Sequence, residues 1–177
     1  MLDGDDRRIV VVNTTPIITL ALLNRLDLLR DLYGSVHIPP AVYDEVLAGG
    51  PDRPGGSQLH AAPWIKRTQL QDPRRADLIS DLDRGEAEVI ALAQETAAAL
   101  VIIDERLGRR HAKRLGLSIT GTLGVLLRAK SEGILPKVAP LIETLQQDGI
   151  RLGQGLVDRA LERAEETPSL ETKEPSR

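Results

Sequence analysis

IVVVNTTP, residues 9–16, passes from four consecutive aliphatic residues into an asparagine, two threonines and a proline. A short run of Val and Ile that is apolar on consecutive positions is typical of a strand buried on both faces of a parallel sheet. Pro16, taken as the first helical residue, indicates that a helix follows at once. The stretch therefore predicts a strand-to-helix junction, with Asn13 at the carboxyl end of the strand.

The same pattern recurs along the chain. Apolar runs precede Asp104 (LVII) and Thr120 (LSI), and VHIP at 36–39 is a fourth strand. Helical patterns fill the intervals: 15–32 with a break near Asn24, then 39–48, 73–82, 84–97, 105–115, 122–132, 138–148 and 154–165. Strands that alternate with helices predict an α/β fold with a short parallel sheet flanked by helices. APWIKRTQL is a loop or an edge strand, and the glycine- and proline-rich 48–57 is a flexible loop.

Composition narrows the class of protein. The chain has 177 residues, 41% of them hydrophobic, and a net charge of −3. The absence of Cys excludes disulfides, cysteine zinc sites and thiol nucleophiles, and fits a cytoplasmic protein. No apolar run approaches the ~20 residues that span a bilayer, and no signal peptide is visible. We expect a charged lead at 1–8, one domain at 9–150, a helix packing on it at 151–165, and a disordered tail at 166–177.

Polar residues follow three of the predicted strands. Ligands of open parallel sheets bind outside the carboxyl ends of the strands. Asn13, Asp104 and Thr120 should therefore lie along one edge. Asp104 fits equally well as the N-cap of the helix that follows it, because Asp is a favoured cap.

The helix GEAEVIALAQETA carries two glutamates that helical geometry separates. At 100° per residue Glu86 lies on the apolar stripe, whereas Glu88 points away from it, beside Glu95 on the solvent face. Burying a carboxylate costs free energy unless the group is paired, hydrogen-bonded or bound to a metal. The alternative to a functional role is a capping box, since Asp83 and Glu86 have the D-x-x-E spacing.

Glu45 lies beside the apolar stripe of PPAVYDEVL, while Asp44 faces away. Alone, such a glutamate often marks only the border of the stripe. Together with Glu86 and Asp104 it forms a set of converging carboxylates, which repel by up to ~4 kcal/mol per pair at about 4 Å. A hard cation such as Mg²⁺ removes that repulsion and prefers oxygen ligands.

A basic stripe follows Asp104 in DERLGRRHAKRLG. The i, i+3, i+4, i+7, i+8 spacing puts five cations on one helix face, and Leu107, His111, Ala112 and Leu115 opposite, packed inward. A basic face beside a metal site suits a phosphate backbone, and an ordinary solvated cationic face is the alternative. The five cations are Arg106, Arg109, Arg110, Lys113 and Arg114. His37 and His60 lack partners at ligand spacing, and the nucleotide-binding and serine-hydrolase motifs are absent.

These segments resemble a known family. VVVNTTPIITLALLNRLDLL, IPPAVYDEVL, LDRGEAEVIALA and LVIIDERLGRRHAKRLGLSITGTLGVLLRAK are similar, in order and spacing, to PIN-domain proteins, closest to the VapC-like ribonuclease toxins. The resemblance implies a Rossmann-like three-layer α/β/α domain whose acidic residues bind Mg²⁺ or Mn²⁺ and cleave single-stranded RNA. It also implies a cognate small antitoxin protein as a partner and a homodimer.

The branch that the segments resemble lies close to the VapC toxins and is usually described as predicted nucleic-acid-binding. This resemblance assigns roles to individual residues. Asn13, Glu45, Glu86 and Asp104 take the four metal-ligand positions, and Thr15 orients water or the scissile phosphate near a helix N-terminus. Glu105 is an accessory acid. The family usually has Asp where this chain has Asn13, which retains a carbonyl oxygen and lacks the charge. A second cation, as two-metal cleavage requires, is then harder to hold.

Two further hypotheses follow from that departure. One is a catalytically weakened nucleic-acid-binding or regulatory module. The other is a module that binds only a partner protein through the basic stripe.

Overall fold

The computed structural model describes residues 8–50 and 52–166. The predictions for most of the charged lead and for all but the first residue of the tail lie outside the described residues. The strands are β1 Val10–Val12, β2 Val36–Ile38, β3 Ile65–Arg67, β4 Leu100–Ile102 and β5 Ile119–Thr120. The helices are α1 Thr14–Leu22, α2 Asp27–Tyr33, α3 Pro40–Ala48, α4 Gly56–His60, α5 Arg74–Asp77, α6 Arg84–Glu95, α7 Arg106–Arg114, α8 Thr122–Ser131, α9 Ala139–Gln147 and α10 Gln154–Arg163.

The five strands form one parallel sheet in the order β3-β2-β1-β4-β5. The predicted α/β class is confirmed, and APWIKRTQL supplies the edge strand β3. The chain extends outward from β1 in one direction and then returns to its other side with β4. The carboxyl ends of β1 and β4 therefore flank the point where strand order reverses, the usual ligand crevice of such sheets.

Several element boundaries differ from the prediction. The break predicted near Asn24 in the helical segment 15–32 is confirmed: α1 and α2 are separate helices, with Asn24 between them in the left-handed region at φ 53°. Pro16 is the third residue of α1, so its assignment to the first helical position was wrong. The loop predicted at 48–57 ends earlier, because α4 begins at Gly56. The helix predicted at 73–82 is only the short α5.

The placement of Glu88 and Glu95 on a solvent face was wrong. Helix α6 packs against β1, β4, α3, α5 and α7, and all nine residues from 85 to 93 are buried. Glu88 accepts from Arg84 Nε at 2.6 Å and from the backbone N–H of Ala41 at 2.9 Å. Glu95 accepts from the backbone N–H groups of Gln71 and Asp72. Each acid thus satisfies backbone donors of a segment packed against α6.

The chain divides into two compact units between Val125 and Leu126. Unit 1 contains the sheet. In unit 2, Lys130 pairs with Glu166 at 2.6 Å, and Glu166 accepts from the backbone N–H groups of Val138 and Ala139 at the start of α9. Within residues 8–50 and 52–166, no helix has the length and apolar character needed to cross a bilayer.

We expect Glu88→Ala to lower the free energy of unfolding by about 2 kcal/mol, because it leaves the Ala41 N–H without its acceptor. Glu88→Gln should cost less, since its carboxamide oxygen can still accept from Ala41. Urea unfolding monitored by circular dichroism measures both. Equal losses for the two variants, or none, would contradict a positioning role for Glu88 at the start of α3.

Candidate functional site

Asn13 joins β1 to α1 at the edge of the sheet. It is 3% exposed, and its backbone N–H donates to Ile102 O of β4 at 2.9 Å. Asn13 occupies the N-cap position of α1, yet its side chain does not cap the helix. Instead Nδ2 donates to Glu105 Oε2 at 2.9 Å. The side chain of Asn13 is thus hydrogen-bonded to a carboxylate in the segment that follows β4.

The first two residues of α1 both donate to carboxylates. The hydroxyl of Thr14 donates to Glu45 Oε2, and that of Thr15 donates to Glu105 Oε1. Because Thr14 and Thr15 are adjacent, they bring an acid of α3 and an acid of the β4–α7 connection to the same helix end. Thr15 thus binds Glu105 in this structure, and its role toward water or phosphate stays a prediction.

Asp104 caps a different helix from the one expected. Glu105 occupies the N-cap position of α7. Asp104 Oδ1 accepts from the backbone N–H of Thr122 at 2.8 Å, and Oδ2 accepts from its hydroxyl at 2.6 Å, at the start of α8. Burial raises the pKa of Asp104; the Thr122 donors oppose that rise, and the nearby Glu105 carboxylate adds to it.

Glu86 is the inward acid that the helical geometry predicted, and it is 6% exposed. The capping box also forms: Asp83 accepts from the backbone N–H of Glu86 at 2.8 Å, and Glu86 Oε2 faces the backbone N–H of Asp83 at 3.4 Å. Oε1 is buried and has no hydrogen-bond partner of ordinary geometry among the described residues. Burial, then the charges of Asp83 and Glu105, raise the pKa of Glu86, while the backbone N–H groups of Asp83 and Gly108 oppose that rise.

Three glycines allow the carboxylates to approach the backbone. A Cβ at residue 85 would lie 2.7 Å from Glu45 Oε2, and one at residue 108 would lie 2.8 Å from Glu86 Oε1. A Cβ at residue 121 would lie 2.5 Å from an oxygen of Asp104. The side chains of these three acids thus occupy space that a larger residue would fill. Glu45 itself is exposed, as expected for an acid at the border of an apolar stripe.

Glu105 links the acids of the edge. It contacts Asn13 and Thr15 directly, and its charge acts on both Glu86 and Asp104. Thr120 is the last residue of β5 rather than the residue after it, and Thr122 contacts Asp104 in its place. The structure thus gathers Asn13, Thr15 and Asp104 around Glu105, and joins Glu45 to the same helix end through Thr14.

The oxygen atoms at this edge are of the chemical type that binds a divalent cation. Among residues 8–50 and 52–166, no three Asp, Glu or His side chains are grouped closely enough to hold a metal. The donor set nevertheless consists of carboxylate and carboxamide oxygens, which such cations prefer. Two of these oxygens, Asn13 Oδ1 and Glu86 Oε1, are buried and accept no well-aligned hydrogen bond in the described part of the chain. The chemistry of these oxygens therefore fits a divalent cation.

The basic stripe is partly as predicted. Arg106, Arg110, Lys113 and Arg114 are exposed, whereas Arg109 is half-buried and donates from Nη1 to Ile103 O at 2.7 Å. The inward packing predicted for Leu107 and Leu115 was wrong: they are 37% and 45% exposed.

On the opposite face of α7, Ala112 is buried and His111 is half-buried. His111 Nε2 pairs with Asp81 Oδ2 at 2.8 Å. The bond to His111 lowers the pKa of Asp81.

The sequence did not single out Thr14 or Thr122, and named Glu105 only as accessory. Both threonines stand at the first position of a helix that follows a strand, where a hydroxyl can reach the strand edge. This position, at the start of a helix directly after a strand, was the sequence signal that could have identified both threonines. The glycines beside the acids gave no signal, because their role appears only when α6 packs against α3 and α7 and when the segments after β4 and β5 lie together.

A family model described as a PIN domain matches residues 9–166. The match covers most of the chain, which therefore belongs to the PIN-domain family. Membership indicates nuclease activity in general, of a class that generally uses divalent metals. No curated protein matches the chain.

The raised pKa of Glu86 predicts a pH-dependent stability for the metal-free protein. Because the folded pKa is raised, the native state retains a proton that the unfolded chain releases, so stability falls as pH rises above about 4.3. Glu86→Gln removes this loss and retains a residue that fits the capping box.

We expect the variant to be more stable than wild type near pH 7, with the difference shrinking near pH 4. Urea unfolding at both pH values measures it, with the exposed Glu143→Gln as control. A variant that is less stable at neutral pH would show that Glu86 gains from its charge in the metal-free fold.

Proposed function

We propose that the protein is a metal-dependent endoribonuclease of the VapC-like toxin type that cleaves single-stranded RNA. One observation supports the proposal: Asn13, Glu45 and Asp104 are hydrogen-bonded to residues at the edge where β1 and β4 end, and the charge of Glu105 acts on Glu86. In addition, the buried Asn13 Oδ1 and Glu86 Oε1 lack a well-aligned donor among the described residues. Family membership supplies the reaction class. The nuclease class is general to the family, whereas the RNA substrate and the toxin type belong to this proposal.

Each residue of the edge has a part in the proposed reaction. Glu45, Glu86 and Asp104 would hold Mg²⁺ or Mn²⁺, with Asn13 Oδ1 as a neutral ligand. A bound cation supplies an acidified water and stabilises charge on the phosphate. Burial raises the pKa values of Glu86 and Asp104 and so disfavours their charged forms; a bound cation would offset that cost. Thr15, at the start of α1, would orient the attacking water or the phosphate.

The exposed cations of α7 would guide the RNA backbone. The helix begins directly after Glu105, so its basic face starts beside the acids. Phosphate contacts of this kind position a strand without reading its sequence. Arg109, which binds the Ile103 carbonyl, would serve chiefly to hold α7 against β4.

The resemblance to VapC-like toxins extends the proposal to partners. A cognate small antitoxin protein would cover the site, the protein would act as a homodimer, and it would work in the cytoplasm. The antitoxin and the homodimer rest on the sequence resemblance, and the cytoplasmic location rests on the absence of Cys.

A catalytically weakened nucleic-acid-binding module is the second candidate. It is favoured by the neutral Asn13 and by the absence of a three-acid metal group within residues 8–50 and 52–166. Such a module would bind RNA through α7 and leave it intact.

Cleavage of single-stranded RNA with Mn²⁺ separates the two candidates. We expect Asp104→Asn to lower the rate by roughly 100-fold, because it removes a half-buried carboxylate that would hold the cation. Asp44→Asn, an exposed acid of α3, is the matched control and should retain the wild-type rate. If wild type cleaves no faster than Asp104→Asn, the enzyme hypothesis is refuted and the binding module remains.

The basic stripe is tested through salt dependence. Arg110→Gln with Lys113→Gln should weaken RNA binding and reduce the slope of log affinity against log salt by about 1.4 if each cation neutralises one phosphate. Fluorescence anisotropy with a labelled oligonucleotide measures the slope. Arg159→Gln with Arg163→Gln, on α10, is the control. The same loss in the control would mean that the whole surface, rather than α7, attracts RNA.

A further inference from the structure

Asn13 and Glu105 form a matched pair. Glu105 has both carboxylate oxygens occupied by the β1–α1 junction: Asn13 Nδ2 donates to Oε2 at 2.9 Å, and the Thr15 hydroxyl donates to Oε1. The two partners are 92 and 90 residues away along the chain. Asn13 makes this bond from an N-cap position whose side chain would ordinarily bind its own helix. The junction therefore orients Glu105 in preference to capping α1.

The identity of residue 13 decides whether this arrangement holds. A carboxamide has two donors, and a hydrogen bond from one of them to an ionised carboxylate is charge-assisted. An aspartate at the same position would place two carboxylates at hydrogen-bond distance, where they repel. Asn13 therefore excludes a second negative charge from this point and holds Glu105 there instead.

We propose that Glu105 takes over the charge that Asn13 lacks and is itself a ligand of the cation, with Asn13 as its positioning residue. The inference rests on the proposed function for the existence of that cation. The edge then has four carboxylates, Glu45, Glu86, Asp104 and Glu105, so a neutral residue 13 leaves the number of charges at the edge undiminished. The negative charge absent from residue 13 is thus present on Glu105.

A charge exchange in the metal-free protein tests the pairing without reference to activity. Asn13→Asp should raise the unfolding equilibrium constant by about tenfold, since it converts an attractive contact into a repulsive one. Adding Glu105→Gln should remove most of that increase, because the carboxamide introduced by this second substitution can donate to the new carboxylate. Urea unfolding without metal measures the stability of wild type, of the two single variants and of the double variant. Additive effects of the two substitutions would overturn the pairing.

Mn²⁺ titration by calorimetry tests the cation role. Glu105→Gln should weaken Mn²⁺ binding by about 10- to 100-fold, and Asn13→Asp with Glu105→Gln should regain most of it, since the charge is restored on the other partner. Glu143→Gln, an exposed acid of α9, is the control and should bind as wild type does. If Glu105→Gln alone fails to fold, the Mn²⁺ affinity of the double variant Asn13→Asp with Glu105→Gln still tests the proposal.

The outcomes separate the two proposals. Wild-type protein that binds no Mn²⁺ refutes the proposed metal-dependent reaction and, with it, the cation role of Glu105. Wild-type binding that persists unchanged in Glu105→Gln refutes the role of Glu105 alone. Weakened binding that the exchanged variant fails to regain shows that position 13 cannot supply the charge, and overturns the relocation.

Discussion

The parallel pairing of β1 with β4 is the constraint on which the rest of the site depends. Val12 lies opposite Ile102, and the N–H of Asn13 donates to Ile102 O. This register makes both strands end at the same level, so Asn13, directly after β1, meets Glu105 in the segment that follows β4. Because β1 is buried and aliphatic at every position, alternation along the strand does not distinguish one register from the next. The polar residues that end the apolar runs do. A slip of one residue would separate Asn13 from Glu105.

The charges gathered by that register are tolerated because each has a donor. Glu45 and Glu105 receive threonine hydroxyls, Asp104 receives a hydroxyl and a backbone N–H, and Glu86 shares a capping box with Asp83. Hydrogen bonds to the ionised form offset part of the cost of burial. The offset is incomplete, since the pKa values of Glu86 and Asp104 stay raised. The fold thus holds these acids at a cost to its own stability.

Much of this arrangement could be predicted from the sequence. The Val- and Ile-rich runs specify the strands, and the strand-end rule placed Asn13 and Asp104 at one edge. The assignment of Glu88 failed because a helical wheel assumes one buried face, whereas α6 is enclosed by strands and helices on several sides. The Asn13–Glu105 bond could not be predicted either. It joins residues 92 positions apart and depends on side-chain geometry that periodicity does not contain.

Threonine is a suitable donor for carboxylates that, in the proposed function, would hold a cation. A lysine or arginine would bind such an acid through a fixed charge and would compete with a cation for it. A hydroxyl is neutral, rotates freely, and can accept as well as donate. Thr14, Thr15 and Thr122 therefore hold Glu45, Glu105 and Asp104 in the metal-free fold and would remain compatible with a bound ion beside them. Arg109 of the α7 stripe is turned to the Ile103 carbonyl, which leaves the acids to hydroxyl and amide donors.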